Sequence, residues 1–120
     1  MSCLGAIAII LGIASSVRAV DPDQEAKPFA EQFKPLLAKH CQSCHRGDKP
    51  KGNFLIDNLS LDFADKENRL RWLSVLKQVQ EGTMPPKGKP RPPADELKGL
   101  SDWIGKQLAY NSAAQGRVVL

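Results

Sequence analysis

Sulfur and aromatic residues are scarce in this chain. Its 120 residues include three cysteines, two methionines, two histidines and one tyrosine, and aromatics make up only 6%. Cys3 lies in an apolar N-terminal stretch. Cys41 and Cys44 are the only other cysteines, so a disulfide framework is excluded, and a Cys41–Cys44 bridge would close too short a loop to stabilise much. Structural zinc normally takes four Cys or His ligands, often as two separated pairs. Here His40, Cys41, Cys44 and His45 crowd together with no distant pair. No strand–helix alternation flanks the cysteines, which removes a thioredoxin-like reading. The formal charge is only +4, and no basic run interleaved with aromatics speaks for nucleic acid. One long apolar run exists, residues 3–17, and it is short for a membrane span.

What is there centres on Cys41-Gln42-Ser43-Cys44-His45. This C-x-x-C-H run is the signature of covalent c-type haem attachment. Two thiols three positions apart on one helical turn can each form a thioether with one haem vinyl group. The following residue, His45, then lies under the ring and can offer an imidazole nitrogen to the iron. Replacing either cysteine, or moving His45 by one position, breaks that geometry.

The N-terminus sets the address. Residues 1–19 read as a secretory signal, with small or modest residues at Val17 and Ala19 and cleavage after Ala19. The alternative is an uncleaved anchor, since no Lys or Arg precedes the apolar run. Export agrees with the haem reading, because bacterial c-type haem is attached outside the cytoplasmic membrane. Once Cys3 leaves with the signal, both remaining cysteines serve one haem. The mature chain, counted from Val20, is small for a self-sufficient core, and the haem-free form is expected to fold poorly.

Residues 20–27 are polar and acidic and read as a flexible lead-in. A helical pattern follows, with Phe29, Phe33, Leu36, Leu37 and His40 on one face. Pro35 either kinks this helix or starts a second one near its first position. Residues 46–53 form a loop by their Gly, Pro and charge content. A carbonyl near Pro50 is the expected acceptor for the second nitrogen of His45. Phe54, Leu55, Ile56, Leu59 and Leu61 are expected to line the haem pocket. Asp65 caps a helix to about Glu81, with Leu70, Leu73, Leu76 and Val79 as its stripe and Trp72 and Val75 beside them. Gly82 stops it. The last helix spans about Ala94 to Tyr110, buried along Leu97, Leu100, Ile104 and Leu108, with Trp103 alongside.

The second iron ligand is expected from Met84, the one methionine of the mature chain. It follows His45 by 39 residues and opens a stretch with five prolines between positions 85 and 93. A residue before proline is pushed to extended backbone, so Met84 sits on a stiff loop able to cross the far haem face. Methionine opposite histidine raises the reduction potential. His40 falls on the proximal side and reads as a helix-end or surface residue. Trp72 and Trp103 read first as core packing, Trp103 against Phe29 or Phe33, with a propionate contact as the sharper alternative for Trp72. Lys87, Lys89 and Arg91 form a basic rim beside Met84, either solvated loop or a surface that steers an acidic redox partner.

Together these residues resemble a known family. The order helix, C-x-x-C-H, loop, helix, Met-Pro and aromatic-bearing final helix is that of class I cytochromes c. Phe33-Lys34-Pro35-Leu36-Leu37, Pro50-Lys51-Gly52-Asn53, Trp72, Gly82-Thr83-Met84-Pro85-Pro86 and Asp102-Trp103-Ile104 are similar to the planctomycete-type cytochrome c domain. That domain stands at the N-terminus of large exported proteins. The resemblance covers about Pro28 to Ala109. It implies Cys41 and Cys44 as haem anchors, and His45 and Met84 as axial ligands.

The expected fold is all-α, a class I cytochrome c-like domain over residues 28–111 with three to four helices around one covalent haem c. Residues 112–120 are read as a tail, or as the start of a following domain. The expected function is single-electron transfer outside the cytoplasmic membrane, in the periplasm, with no catalysis of its own. The partner would be an exported or membrane-associated redox protein, with no nucleic acid and no membrane span once the signal is cleaved. Two rivals stand beside this: a module truncated from a larger redox protein, and a haem enzyme or sensor with an open iron position.

Overall fold

Five of the aromatic side chains meet at one point and organise the chain around them. Phe29, Phe33, Phe63, Trp72 and Trp103 pack with neighbouring ring centroids 5.3 to 5.9 Å apart, in stacked, tilted and edge-on pairs. Such pairs add roughly 0.5–1.5 kcal/mol each beyond the burial of their area. The computed structural model describes residues 9, 11–13 and 22–114. The rest of the predicted signal, its cleavage point at Ala19, and tail residues 115–120 lie outside the described residues.

Four α-helices carry these rings: α1 (Pro22–Pro28), α2 (Lys34–His40), α3 (Lys66–Gln80) and α4 (Ala94–Ala114). No strand occurs among the described residues, and the fold is all-α. Residues 22–27, expected as part of a flexible lead-in, are instead helical. The Glu25 carboxylate explains why: it accepts the Trp103 indole N–H at 3.0 Å and pairs with Lys106 at 3.1 Å. The lead-in is thereby tied to α4.

A π-helical turn, Phe29–Phe33, joins α1 to α2, with the Lys34 N–H bonded back to the Phe29 carbonyl. Pro35 has no N–H to donate. The widened turn absorbs it just inside the start of α2, without a break in the helical path. Phe33, Leu36 and Leu37 are buried as a result.

The phase of α3 differs from the expected stripe. Trp72 is fully buried, while Leu70 and Leu73 are exposed. Asn68, Trp72, Val75, Leu76 and Val79 form the inward face. The apolar stripe read from the leucines is thus rotated on the helix, because Asn68 and Trp72 have polar partners waiting inside. Asp65 caps α3 as expected, accepting the Asn68 N–H at 2.9 Å. On α4, Leu100, Trp103, Ile104 and Leu108 are buried. The helix runs past Tyr110 to Ala114, so residues 112–114 are helix and not tail.

Candidate functional site

Helix α2 delivers the first cysteine. Leu36 and Leu37 anchor it in the core, and the N–H groups of Cys41 and Gln42 both bond to the Leu37 carbonyl, at 2.9 and 3.0 Å. The next turn closes on Cys41, whose carbonyl receives the N–H of Cys44 at 3.3 Å and of His45 at 3.2 Å. Cys41, Cys44 and His45 are therefore fixed on one turn, as the motif spacing requires. Neither cysteine is in a disulfide. Burial pushes the Cys41 thiol above its ordinary value, and Cys44 beside it pushes the same way. Such a thiol stays protonated at neutral pH, unlike the thiolate that disulfide exchange uses.

The following loop folds back over this turn. Lys51 N–H bonds to the Cys44 carbonyl and Ile56 N–H to the His45 carbonyl, both at 2.9 Å. Gly52 and Asn53 turn the corner with φ of 64° and 53°. This brings the Phe54 carbonyl to 3.1 Å from His45 Nδ1. The acceptor is thus Phe54, and not the carbonyl expected near Pro50, which takes the Asn53 N–H instead. A carbonyl only accepts, so Nδ1 carries the hydrogen and Nε2 of the neutral ring keeps its lone pair. The Phe54 ring stands edge-on to the imidazole, at 90° and 5.6 Å between centroids.

Met84 comes from the opposite end of α3. Gly82, with φ of 72°, ends the helix. Its N–H bonds to the Val79 carbonyl, and Thr83 N–H reaches back to the Gln78 carbonyl, the paired bonds of a left-handed helix stop. The Met84 N–H joins the same Gln78 carbonyl at 3.2 Å. Thr83 Oγ1 bonds to both the carbonyl and the side chain of Gln78.

These segments enclose one cavity of about 390 Å³, within the range of cofactor sites. Cys41, Cys44, His45 and Met84 all line it. Its walls are apolar, from Leu36 and Leu37 of α2, Val75 and Val79 of α3 and Leu97 and Leu100 of α4. Phe54 and Ile56 line it as expected, but Leu55, Leu59 and Leu61 do not. Leu59 packs on the core, and Leu61 is exposed. His40, read as helix end or surface, ends α2 and also reaches the cavity. Trp72 does not: its indole N–H bonds to the Ser60 carbonyl at 2.7 Å, which leaves core packing as its role. Trp103 stacks on Phe29 and Phe33 as expected.

The donor set fits a covalently held haem. It offers two free thiols on one turn, an imidazole whose other nitrogen is already engaged, and a thioether from a separate loop. Among the described residues no group of three or more His, Cys, Asp or Glu side chains converges as a metal-ion site. A wider depression of about 480 Å³ beside Gln24, Lys27, Glu31 and Gln32 holds none of these donors.

Residues 41–88 match the family model described as Planctomycete cytochrome C. The match begins at Cys41 and ends just beyond the Met84 loop, so it contains all four donors and leaves out α1, α2 and α4. No curated protein and no solved structure matches the chain.

Proposed function

We propose, for a chain that carries a planctomycete-type cytochrome c domain, a mono-haem carrier of single electrons with His45 and Met84 as axial ligands. The family match supports the coarser statement directly: a haem-based electron-transfer domain with covalently bound haem c. The finer reading rests on the convergence of Cys41, Cys44, His45 and Met84 on one apolar cavity.

Cys41 and Cys44 would hold the porphyrin by thioethers. When bound, the haem supplies a one-electron iron couple. Everything else falls to the side chains. The Phe54 carbonyl fixes the plane of the His45 ring and, by taking the Nδ1 hydrogen, makes Nε2 a better donor. The thioether of Met84, as a ligand, would favour the reduced metal. Leu36, Leu37, Val75, Val79 and Phe54 exclude water and lower the local dielectric, which works in the same direction. His45 and Met84 would both hold the iron and would leave no position on it for a substrate, so the role we propose is carrier rather than enzyme.

The partner we propose is an exported or membrane-associated redox protein with an acidic docking face. Lys39, Lys51 and Lys89 line the cavity, and no carboxylate does, so its mouth is positive. No helix among the described residues is long and apolar enough to cross a membrane. The apolar segment before Ala19 supports export to the periplasm as a cleaved signal.

The test is an absorption spectrum of the chain matured in a periplasm that attaches c-type haem. A c-type pyridine haemochrome, a low-spin spectrum and the weak far-red sulfur-to-iron band are expected together. A covalent but high-spin haem would remove Met84 and favour an open-iron enzyme or sensor. Absence of haem after proven maturation would end the reading. On electrodes, exchange should be faster on carboxylate than on amine monolayers, and the difference should fade with salt. Equal rates at low salt would reject the acidic partner.

A further inference from the structure

Arg91 belongs by sequence to the basic run with Lys87 and Lys89, yet its guanidinium is turned onto the chain. Nη1 donates to the Pro85 carbonyl at 2.7 Å and reaches the Gly82 carbonyl at 3.5 Å. Those two carbonyls bracket Thr83 and Met84. On the incoming side, Met84 is already tied through its own N–H to Gln78. On the outgoing side such a tie is chemically impossible at the next two positions, because Pro85 and Pro86 have no N–H. Five of the nine residues from 85 to 93 are proline. This part of the loop therefore offers carbonyls and few donors; its main-chain bond from the Lys89 N–H takes the Pro86 carbonyl at 3.2 Å and leaves the Gly82 and Pro85 carbonyls to the Arg91 side chain. A charged guanidinium is the strongest such donor. Pro85 and Pro92, on either side of Arg91 in the loop, are buried, while Met84 keeps 36% of its surface exposed. The methionine is thus held less by its own burial than by the main chain on each side.

We propose that Arg91 is a positioning residue that clamps the Met84 loop and so keeps the thioether sulfur on the iron. This rests on Met84 being the axial ligand. The inference separates Arg91 from the neighbouring lysines. They shape the surface field, whereas Arg91 acts on ligand geometry through the Pro85 carbonyl.

The experiment compares Arg91→Ala, Arg91→Lys, Lys87→Ala and Met84→Ala in the full-length holoprotein. The readouts are the equilibrium affinity of the ferric form for added imidazole and the pH at which the far-red band disappears. Imidazole must displace Met84 to bind, so a loosened loop raises its affinity. Arg91→Ala should raise it about tenfold, equivalent to about 1.4 kcal/mol, and should move the loss of the band to lower pH. Arg91→Lys keeps the charge and one donor, and should recover part of the effect. Lys87→Ala removes a nearby charge without a clamp, and should stay within about twofold of the parent. If Arg91→Ala and Lys87→Ala behave alike, the effect is one of surface charge and the clamp is overturned. Parent-like affinity in Arg91→Ala overturns it as well. Should Met84→Ala keep the band and the parent affinity, the ligand reading itself fails, and that outcome is distinct from failure of Arg91 alone.

Discussion

The side-chain amide of Asn68 takes the Ser60 N–H at 2.9 Å and gives its own hydrogens to the Ser60 and Asp62 carbonyls, at 2.9 and 2.8 Å. The Ser60 carbonyl also receives the Trp72 indole N–H. Two residues one turn apart on α3 therefore hold the strand of chain that leads into Phe63, and both are buried. Removing the amide leaves the Ser60 N–H without a partner, while the Ser60 and Asp62 carbonyls each keep one, from the Trp72 indole and the Asp65 N–H. Asn68→Ala should lower stability by about 2–3 kcal/mol, since the orphaned N–H costs about 1–3 kcal/mol and two further hydrogen bonds are lost at about 0.5–1.5 kcal/mol each, offset where the site admits water. Trp72→Phe keeps one aromatic ring but loses the indole N–H bond and the packing of the larger ring at a fully buried site, for about 2 kcal/mol. Denaturant unfolding of the holoprotein with a constant slope would check both. Parent-like stability in Asn68→Ala would refute this account. None of it was legible in the sequence. An asparagine in a polar first turn reads as solvated, and its partners lie six and eight residues back along an irregular loop. His45 was the opposite case. Its place follows from covalent spacing alone, and only the identity of its carbonyl partner, Phe54, depended on where the loop turned.

At the scale of elements, starts and stops were legible wherever a single residue type enforces them. Asp65 and Gly82 bound α3 for reasons of hydrogen bonding and backbone freedom, and those act locally. Facing was less legible. Leu70 and Leu73 argued for one phase and Trp72 with Asn68 for another, and the second prevailed because it fills the aromatic centre. The π turn at Phe29–Phe33 could not be read either, because a helix absorbs Pro35 only in relation to what Phe29 and Phe33 must touch. Two glycines test the local argument with opposite signs. A Cβ at Gly82 or at Gly105 would meet no atom within 4 Å, so crowding decides neither. Gly82 has φ of 72°, where an L side chain is strained by about 1–2 kcal/mol. Gly105 lies inside α4, where alanine gains about 0.5–1 kcal/mol in backbone entropy. Gly82→Ala should therefore lower the melting temperature and Gly105→Ala raise it. The same Gly82→Ala variant should also weaken the far-red band, because the helix stop aims the Met84 N–H at Gln78. A shift of the same sign in both variants would contradict the backbone argument.

The whole molecule has two centres, and they share little. None of Phe29, Phe33, Phe63, Trp72 and Trp103 lines the cavity, while Leu36, Leu37 and Leu100 belong to both the core and the cavity wall. The aromatic centre is closed by protein groups alone, with α3 on α4 and Glu25 bonded across to Trp103 and Lys106. The other centre lies between the inner faces of α2, α3 and α4 and two loops, residues 46–56 and 82–92, which close it around a space that a cofactor would fill. Anything that binds the native state alone stabilises it, and here that gain is concentrated on the loops. A Cys41→Ala, Cys44→Ala double variant cannot anchor haem. In hydrogen exchange it should lose protection first at His45, Lys51, Ile56 and Met84, while amides in the middle of α3 and α4 keep the longest lifetimes. Near-ultraviolet signals from Trp72 and Trp103 should be weakened but present. If α3, α4 and both loops instead lost protection together, the chain would be one cooperative unit whose aromatic centre depends on haem, and the division into two centres would be wrong.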